Sequence, residues 1–464
     1  MTNFSDFDVW GSLNLIALLL ITLLIANALK RKVKPVRVTL IPTSVLAGII
    51  LLIVSNVWGL ISGTALLETE FFSNKGLPGT DILEIFTYHT LALGFIAQAF
   101  KESPKKFTRK RSVEIFDSGV TTVATYLIQG VLGLGITVLL AYLLTDVFPA
   151  SGLLLPFGYG QGTGQALNFG KQYEDFSGGT FPGTSFGLTI AALGFLSASI
   201  CGVIHLHVMK RRGCTFRSAD NEITAPEDIE SKGEIPMNGV IDKLTVQIAL
   251  IFVAYIITHL LMYGLGLLIP SMQSVIYGFN FLIGVIAASI VKIVMKFFRT
   301  HNISRQYSNN FLMTHISNFC FDIMVVSGIA AIRLDAIKQY WWILLVLGIV
   351  GAVATYFYNL FIARKLFPEY SDEQFLAMFG MLTGTASTGV MLLREVDPKY
   401  ETCASDNLVY QTVPAIAFGF PMMMLATLAP KEPVLTLILL ATFFVLMNII
   451  LFRRFIFKKK SKKK

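Results

Sequence analysis

Long apolar runs alternate with short polar or charged segments along almost the whole chain. A helix needs roughly 20 apolar residues to cross the hydrocarbon layer of a membrane. About eleven runs reach this length, so the pattern predicts an all-α polytopic membrane protein. The runs lie near residues 10–29, 38–60, 81–100, 118–145, 184–209, 241–269, 275–296, 311–332, 339–362, 406–428 and 433–457.

Two further segments, 152–172 and 373–393, are apolar but are interrupted by small and polar residues. The first contains FGYGQGTGQALN at positions 157–168, with four glycines and three amide side chains. Both segments are too fragmented to cross the membrane as one helix. Each is therefore predicted to be a re-entrant hairpin of two short helices.

Composition supports a membrane location and excludes several other classes of protein. Hydrophobic residues make up 54% of the chain, charged residues only 14%, and the mean hydropathy is +0.65, which is hard to reconcile with a soluble globular protein. The four cysteines are scattered without a CxxC pair, so they predict neither a disulfide framework nor a zinc site. The long hydrophilic stretch at 210–240 is predicted to be a cytoplasmic linker.

Basic residues indicate the orientation, because they favour the cytoplasmic ends of membrane helices. Basic clusters follow the first, third, fifth, seventh, ninth and eleventh runs, which predicts an external N-terminus and a cytoplasmic C-terminus. The first run does not resemble a cleaved signal peptide, since Asp6 and Asp8 precede it and basic residues follow it. The net charge of +9 therefore reflects orientation, and we expect no nucleic-acid partner.

The two interrupted segments are related by a shift of 222 residues, and each follows the fourth run of its half of the chain. In the predicted topology they enter the membrane from opposite sides. We therefore predict a first inverted repeat at 1–209, a second at 241–428, and an additional transmembrane helix with a basic cytoplasmic tail at 429–464. The shift aligns Phe157 with Phe379, Gly158 with Gly380, Gly162 with Gly384, Thr163 with Thr385 and Asp175 with Asp397.

The glycine-rich hairpins predict a binding site, because unpaired backbone groups inside a membrane must be covered by protein or line a cavity. Helix starts suit anions and helix ends suit cations. Together with the neutral amide and hydroxyl side chains, this predicts a small anionic solute with sodium as the coupling ion and no other cofactor. The candidate residues are Gln161, Gly162, Thr163, Gly164, Gln165 and Asn168 in the first segment, Thr383, Gly384, Thr385, Ala386, Ser387 and Thr388 in the second, and Gln411 in the tenth run.

Helix packing is the alternative role for FGYGQG and FGMLTG, since small residues also let membrane helices approach each other closely. An enzymatic alternative comes from GTSFG at 183–187, which fits the GxSxG pattern of a nucleophile elbow. That motif needs a preceding strand, whereas here it opens an apolar run after a proline. We therefore expect no enzymatic activity.

An acidic residue, Asp322, lies near the middle of the eighth run, with Asn318 on the same helical face. An Asp at the centre of a membrane helix costs roughly 3 kcal/mol, which predicts a cation partner or a proton. The candidate sodium ligands are Thr163, Thr385 and Asp322. For Asp322, a structural polar contact within the transport domain and a neutral aspartic acid that hydrogen-bonds to the backbone are the alternatives.

These motifs resemble the bacterial sodium/glutamate symporter family over nearly the whole chain up to about residue 428. The resemblance is carried by GYGQGTG at 158–164, GTAST at 384–388, the linker between the halves, Ile41 and Pro42, Ser185 to Gly187, and Val413 and Pro414. The chain departs from the family at Gln161, where a histidine is expected, and at Ser387, where a proline is expected. It also has an eleventh helix, which the family usually lacks.

The resemblance implies a homodimer in the bacterial cytoplasmic membrane, in which each subunit contains two inverted five-helix repeats. It implies import of glutamate together with sodium, by an elevator-type mechanism in which a domain that contains both hairpins moves against a dimer-forming scaffold. A sodium-coupled transporter of another dicarboxylate or organic anion is the first alternative, and a passive channel is the second.

Overall fold

The computed structural model describes residues 6–101, 108–144, 147–211, 241–270, 273–300, 307–397 and 401–456. The predicted linker, apart from Lys210 and Arg211, and the last eight residues of the basic tail lie outside these ranges. The described α-helices are α1 (Phe7–Lys32), α2 (Lys34–Val38), α3 (Thr43–Ser62), α4 (Gly79–Phe100), α5 (Arg109–Leu143), α6 (Leu154–Gln161), α7 (Thr163–Phe176), α8 (Gly183–Arg211), α9 (Lys243–Leu268), α10 (Gln273–Gly278), α11 (Asn280–Thr300), α12 (Asn310–Ala330), α13 (Leu334–Ile337), α14 (Trp341–Leu366), α15 (Ser371–Thr383), α16 (Ala386–Arg394), α17 (Ala404–Tyr410), α18 (Thr412–Leu428), α19 (Pro433–Leu451) and α20 (Arg453–Ile456).

Ten of the described helices are long and apolar enough to cross a membrane, and α17 with α18, bent by 48°, makes an eleventh if the pair is counted as one span. Each of the eleven predicted runs overlaps one of these spans. This confirms the prediction of an all-α, multi-pass membrane protein. Neither of the two interrupted segments is among the spans found in the described residues.

Helix α5 carries many buried polar residues, although much of the helix is apolar. Apolar and aromatic side chains near its end, such as Leu139 and Tyr142, are exposed. Aliphatic side chains on other long helices, including Leu60 and Leu268, are also exposed. Contiguous apolar surface of this kind is typical of contact with lipid. The buried polar residues of α5 are Asp117, Ser118, Thr121, Thr122, Thr125, Gln129 and Thr137.

The described residues group into two compact units, each assembled from separated parts of the chain. The first unit comprises the described residues of 1–20, 53–106 and 220–330. Its core lies between α4, α9, α11 and α12 and includes Phe100, Ile251 and Met313. Ser317 donates a hydrogen bond to the Gly94 carbonyl oxygen at 3.0 Å, which joins α12 to α4.

The second unit comprises the described residues of 21–52, 107–219 and 331–464, and it contains both interrupted segments. Small residues on α8 allow close packing within this unit. A Cβ added at Gly187 would lie 2.4 Å from the Ala166 carbonyl oxygen of α7, and one at Gly183 would lie 2.2 Å from the Gly170 carbonyl oxygen. Glycine is therefore required at these positions by the close approach of two helix backbones.

The eleventh predicted helix, α19, packs against α5 in this unit and is followed by an ion pair. Arg453 donates a hydrogen bond to Asp117 Oδ1 at 2.7 Å, and its guanidinium lies over the ring of Phe116. Asp117 is almost fully buried, so this pairing offsets the cost of removing the carboxylate from water. The additional helix is therefore an integral part of the second unit.

We predict that Gly187→Ala destabilises the protein, because the added methyl group would overlap the α7 backbone. Overpacking of this kind costs about 1–3 kcal/mol, and it would lower the thermal unfolding midpoint of the detergent-solubilised protein. Gly135→Ala on α5 is the matched control, since a Cβ there would have no neighbour closer than 3.9 Å. Equal unfolding midpoints for the two variants would contradict the close packing of α7 on α8.

Candidate functional site

The first interrupted segment is a helical hairpin formed by α6 and α7. The two helices are separated by Gly162 alone, whose φ of +83° is a conformation that favours glycine. The rings of Phe157 and Phe169 stack with their centroids 3.8 Å apart. In one continuous helix these two residues would be about 18 Å apart along the axis, so the chain reverses direction at Gly162.

The second interrupted segment, α15 and α16, is also a helical hairpin. A Cβ added at Gly380 would lie 2.8 Å from the Cα atom of Gly389, although a continuous helix would separate the two by about 14 Å. The reversal lies at Gly384 and Thr385, and the Thr385 hydroxyl accepts a hydrogen bond from the Thr388 N–H at 3.4 Å. Gly384 is the residue that the 222-residue shift aligns with Gly162.

The tips of the two hairpins lie beside each other. A Cβ added at Gly162 would be 3.8 Å from both the Gly384 carbonyl oxygen and the Thr385 Cγ2 atom. On α8, Gly194 lies against both hairpins, since its added Cβ would be 2.6 Å from the Thr383 carbonyl oxygen and 3.2 Å from the Tyr159 Cα atom. The structure therefore brings together the glycines and threonines that the sequence predicted as one site.

Helix α5 provides hydrogen-bond donors to the last carbonyl groups of α6 and α15. Tyr126 Oη donates to the Gly160 carbonyl oxygen at 3.0 Å, and Gln129 Nε2 donates to the Leu382 carbonyl oxygen at 3.0 Å. The last four carbonyl groups of an α-helix have no partner within the helix. One face of α5 thus stabilises the C-terminal ends of the leading helices of both hairpins.

Gln165, in the first turn of α7, has the least satisfied side chain of the candidate site. It is buried, with 1% of its surface exposed, and neither its Nε2 nor its Oε1 atom has a hydrogen-bond partner among the described residues. An unpaired amide in such surroundings is costly. The N-terminal end of α7 also carries the positive end of the helix dipole. The arrangement therefore suits a ligand that both accepts and donates hydrogen bonds and carries negative charge.

The other candidates on the first hairpin are mostly buried beside Gln165. Thr163, Gly164 and Asn168 are buried, whereas Gln161 is partly exposed. On the second hairpin, Thr383 donates to the Phe379 carbonyl oxygen at 2.7 Å.

The Thr388 hydroxyl lies 3.3 Å from that of Thr385, so these two candidates of the second hairpin are in contact. Ala386 is exposed, and the side chain of Ser387 lies outside the described residues.

Gln411 joins the end of α17 to the second hairpin. Its Oε1 atom accepts from the Thr122 hydroxyl at 2.8 Å, and its Nε2 atom lies 3.1 Å from the Met381 sulfur.

Asn318 and Asp322 share an exposed face of α12, which belongs to the first compact unit, whereas both hairpins belong to the second. The sodium role of Asp322 stays a prediction.

The surroundings of the tips are neutral. No Asp, Glu, Lys, Arg or His occurs between Leu154 and Gly170 or between Phe375 and Leu393. In the part of the chain that the structure describes, no group of three or more His, Cys, Asp and Glu side chains has the spacing of a metal site. A cation at the tips would therefore depend on hydroxyl, amide and backbone oxygens.

Ser185 of the GTSFG sequence lies in the first turn of α8 and is buried. Its hydroxyl accepts a hydrogen bond from the Arg333 backbone N–H at 3.1 Å. The residue therefore has a packing and hydrogen-bonding role at the start of a helix.

Sequence reasoning missed the contribution of α5 and α14. Tyr126 and Gln129 on α5, with Thr355 and Asn359 on α14, are polar residues inside apolar runs, and they hydrogen-bond to each other or to the hairpins. Amide side chains are uncommon inside membrane helices and usually contact another helix there. Gln129 and Asn359 carried this signal in the sequence.

Comparison of the chain with protein-family models, with curated proteins and with solved structures finds no match.

We predict that Tyr126→Phe destabilises the protein by about 1–3 kcal/mol, because the buried Gly160 carbonyl group loses its donor. Thermal unfolding in detergent measures the effect. Tyr142→Phe on the same helix is the control, since the Tyr142 side chain is 88% exposed. If the two substitutions shifted the unfolding midpoint equally, the hydrogen bond from α5 would not stabilise the hairpin.

Proposed function

We propose that the protein is a sodium-coupled secondary transporter that imports glutamate or a related anionic amino acid. The observation that supports this most directly is the meeting of two helical hairpin tips beside the buried, unpaired amide of Gln165. Broken helices that meet in the membrane interior are the usual construction of secondary transporter sites. In a purely structural contact, only buried water could pair the Gln165 amide.

The chemistry of the site favours an amino acid as the solute. An α-amino acid offers carboxylate oxygens that accept from Gln165 Nε2 and an ammonium group that donates to Gln165 Oε1. The positive end of α7 favours the carboxylate charge. Because the tips contain no basic residue, co-bound sodium would offset the remaining negative charge of glutamate.

In this proposal both hairpins are re-entrant and belong to two inverted repeats, and the second compact unit is the moving domain of an elevator-type cycle. The chain forms a homodimer in a bacterial cytoplasmic membrane, with an external N-terminus and a cytoplasmic C-terminus. The basic clusters after alternate helices support this orientation. Sodium at Thr163, Thr385 or Asp322 completes the set of proposed ligands.

We predict that proteoliposomes containing the protein accumulate labelled glutamate when sodium is supplied outside. Uptake will increase with an inside-negative potential if the sodium charges that enter outnumber the negative charges of the solute. Each net positive charge that moves through 100 mV contributes about 2.3 kcal/mol, or about fiftyfold in concentration ratio.

Two comparisons decide between this proposal and its alternatives. Uptake that persists unchanged with choline in place of sodium would refute sodium coupling, and equilibration without accumulation would indicate a channel. A panel of dicarboxylates and amino acids in the same vesicles would identify the preferred solute.

We predict that Gln165→Leu raises the KM for glutamate at least about tenfold, since a hydrogen bond to a charged group contributes roughly 1.5–3 kcal/mol. Without solute, the variant will unfold at the same temperature as the wild type or higher, because the substitution removes an unpaired polar group. Lys171→Ala is the control, since this exposed α7 residue forms ion pairs with Glu174 and Asp175, away from the hairpin tips. A lower unfolding temperature with an unchanged KM would assign Gln165 a structural role.

A further inference from the structure

Four buried polar side chains connect α5 with α14 near the middle of both helices. Gln129 Nε2 donates to the Thr355 hydroxyl at 2.8 Å, and Asn359 Nδ2 lies 3.3 Å from the Thr125 hydroxyl. None of the four is more than 1% exposed. We call these residues, Thr125, Gln129, Thr355 and Asn359, the amide cluster.

The orientation of both amides in the cluster is determined by backbone carbonyl groups. Gln129 Nε2 donates to the Leu382 carbonyl oxygen at 3.0 Å, and Asn359 Nδ2 donates to the Thr355 carbonyl oxygen at 2.9 Å. A carbonyl group accepts hydrogen bonds only, so the nitrogen of each amide must face it. The side-chain oxygens of Gln129 and Asn359 are consequently buried without a hydrogen-bond donor anywhere in the described chain.

The electrostatic surroundings of the Gln129 oxygen favour a positive charge. Gln129 Oε1 lies 3.3 Å from the position of a Cβ at Gly160, next to the C-terminal end of α6, while its nitrogen contacts the C-terminal end of α15. Helix C-terminal ends carry partial negative charge. No Lys or Arg occurs between residues 118 and 143 of α5 or between residues 341 and 363 of α14. Neither helix therefore supplies a cation to these oxygens near the cluster.

We propose that the amide cluster binds a sodium ion, with the side-chain oxygens of Gln129 and Asn359 as ligands and the hydroxyl oxygens of Thr125 and Thr355 beside them. Uncharged oxygen atoms suit a hard cation such as sodium, and helix C-terminal ends contribute to sodium sites between broken membrane helices. This inference deepens the proposed function, because it places a coupling ion on α5 and α14, apart from Thr163, Thr385 and Asp322. The binding of sodium to the amide cluster does not depend on the proposed function. Only the role of the bound ion in transport rests on it.

The test is sodium binding to the full-length, detergent-solubilised protein without any solute. The thermal unfolding midpoint is measured while sodium chloride replaces choline chloride at constant ionic strength, because a bound ion stabilises the folded state according to its concentration and affinity. We expect a saturable rise for the wild type. Asn359→Leu, which keeps the volume but removes the oxygen, will raise the half-saturating sodium concentration at least about tenfold, as expected for a lost contact between a charge and a polar group.

Two further variants make the result specific. Asn359→Asp keeps an oxygen and adds negative charge, so it will lower the half-saturating sodium concentration, and it decides the question if Asn359→Leu does not fold. Asn448→Leu is the matched control on α19, because both atoms of that amide are already paired, with Tyr358 and with the Phe444 carbonyl oxygen. Its sodium dependence will equal that of the wild type.

The site would be refuted if the wild-type midpoint did not respond to sodium, or if the half-saturating concentration was the same in Asn359→Leu, Asn359→Asp and the wild type. In that case a buried water molecule would satisfy the two oxygens. The proposed function fails independently, through the absence of sodium-driven uptake by the wild type. The wild type could respond to sodium, and lose that response in Asn359→Leu, while showing no sodium-driven uptake. That combination would establish the ion site and reject the transporter.

Discussion

The second compact unit depends on pairing the backbone groups at two breaks in its helices. A helix that ends within an apolar environment leaves four carbonyl groups without partners, and lipid offers none. Tyr126 and Gln129, one turn apart on α5, each donate to one such carbonyl group. One helix therefore stabilises both breaks at once, which gives Tyr126 and Gln129 a structural reason to lie within the apolar run of α5.

Close backbone packing is the second requirement, because short helices have little surface with which to hold each other. Gly187 and Gly194 on α8 bring that helix against α7 and against the end of α15, at distances that exclude any side chain. The glycines of this unit therefore meet two different structural requirements. Gly187 and Gly194 provide contact between helices, whereas Gly162 lies at a reversal and adopts a positive φ.

Hydrophobic periodicity predicted the membrane class and every long helix, because roughly 20 successive apolar residues match the thickness of the hydrocarbon layer. It also located both breaks, since glycine and polar residues interrupt an apolar run only where the chain turns or contacts something polar.

The apolar pattern could not predict which side chains donate hydrogen bonds to the helix ends at the breaks. Gln129 contacts Leu382 across 253 positions of sequence, and only the three-dimensional arrangement of α5, α14 and α15 brings them together. The start of α5 was also missed, since Arg109 to Asp117 extend the helix beyond its apolar run from a cap at Thr108.

The neutrality of the hairpin tips constrains any cycle in which the second unit moves a solute. A site without ionisable side chains acquires the net charge of whatever it binds, so an anion alone would carry an uncompensated charge through a low-dielectric region at a cost of several kcal/mol. The cation site proposed on α5 and α14 shares Gln129 with the support of the second hairpin, through the contact of Gln129 with Leu382. Binding of the cation would therefore act on the hairpin end directly, and charge balance would make movement favourable only when both ligands are present.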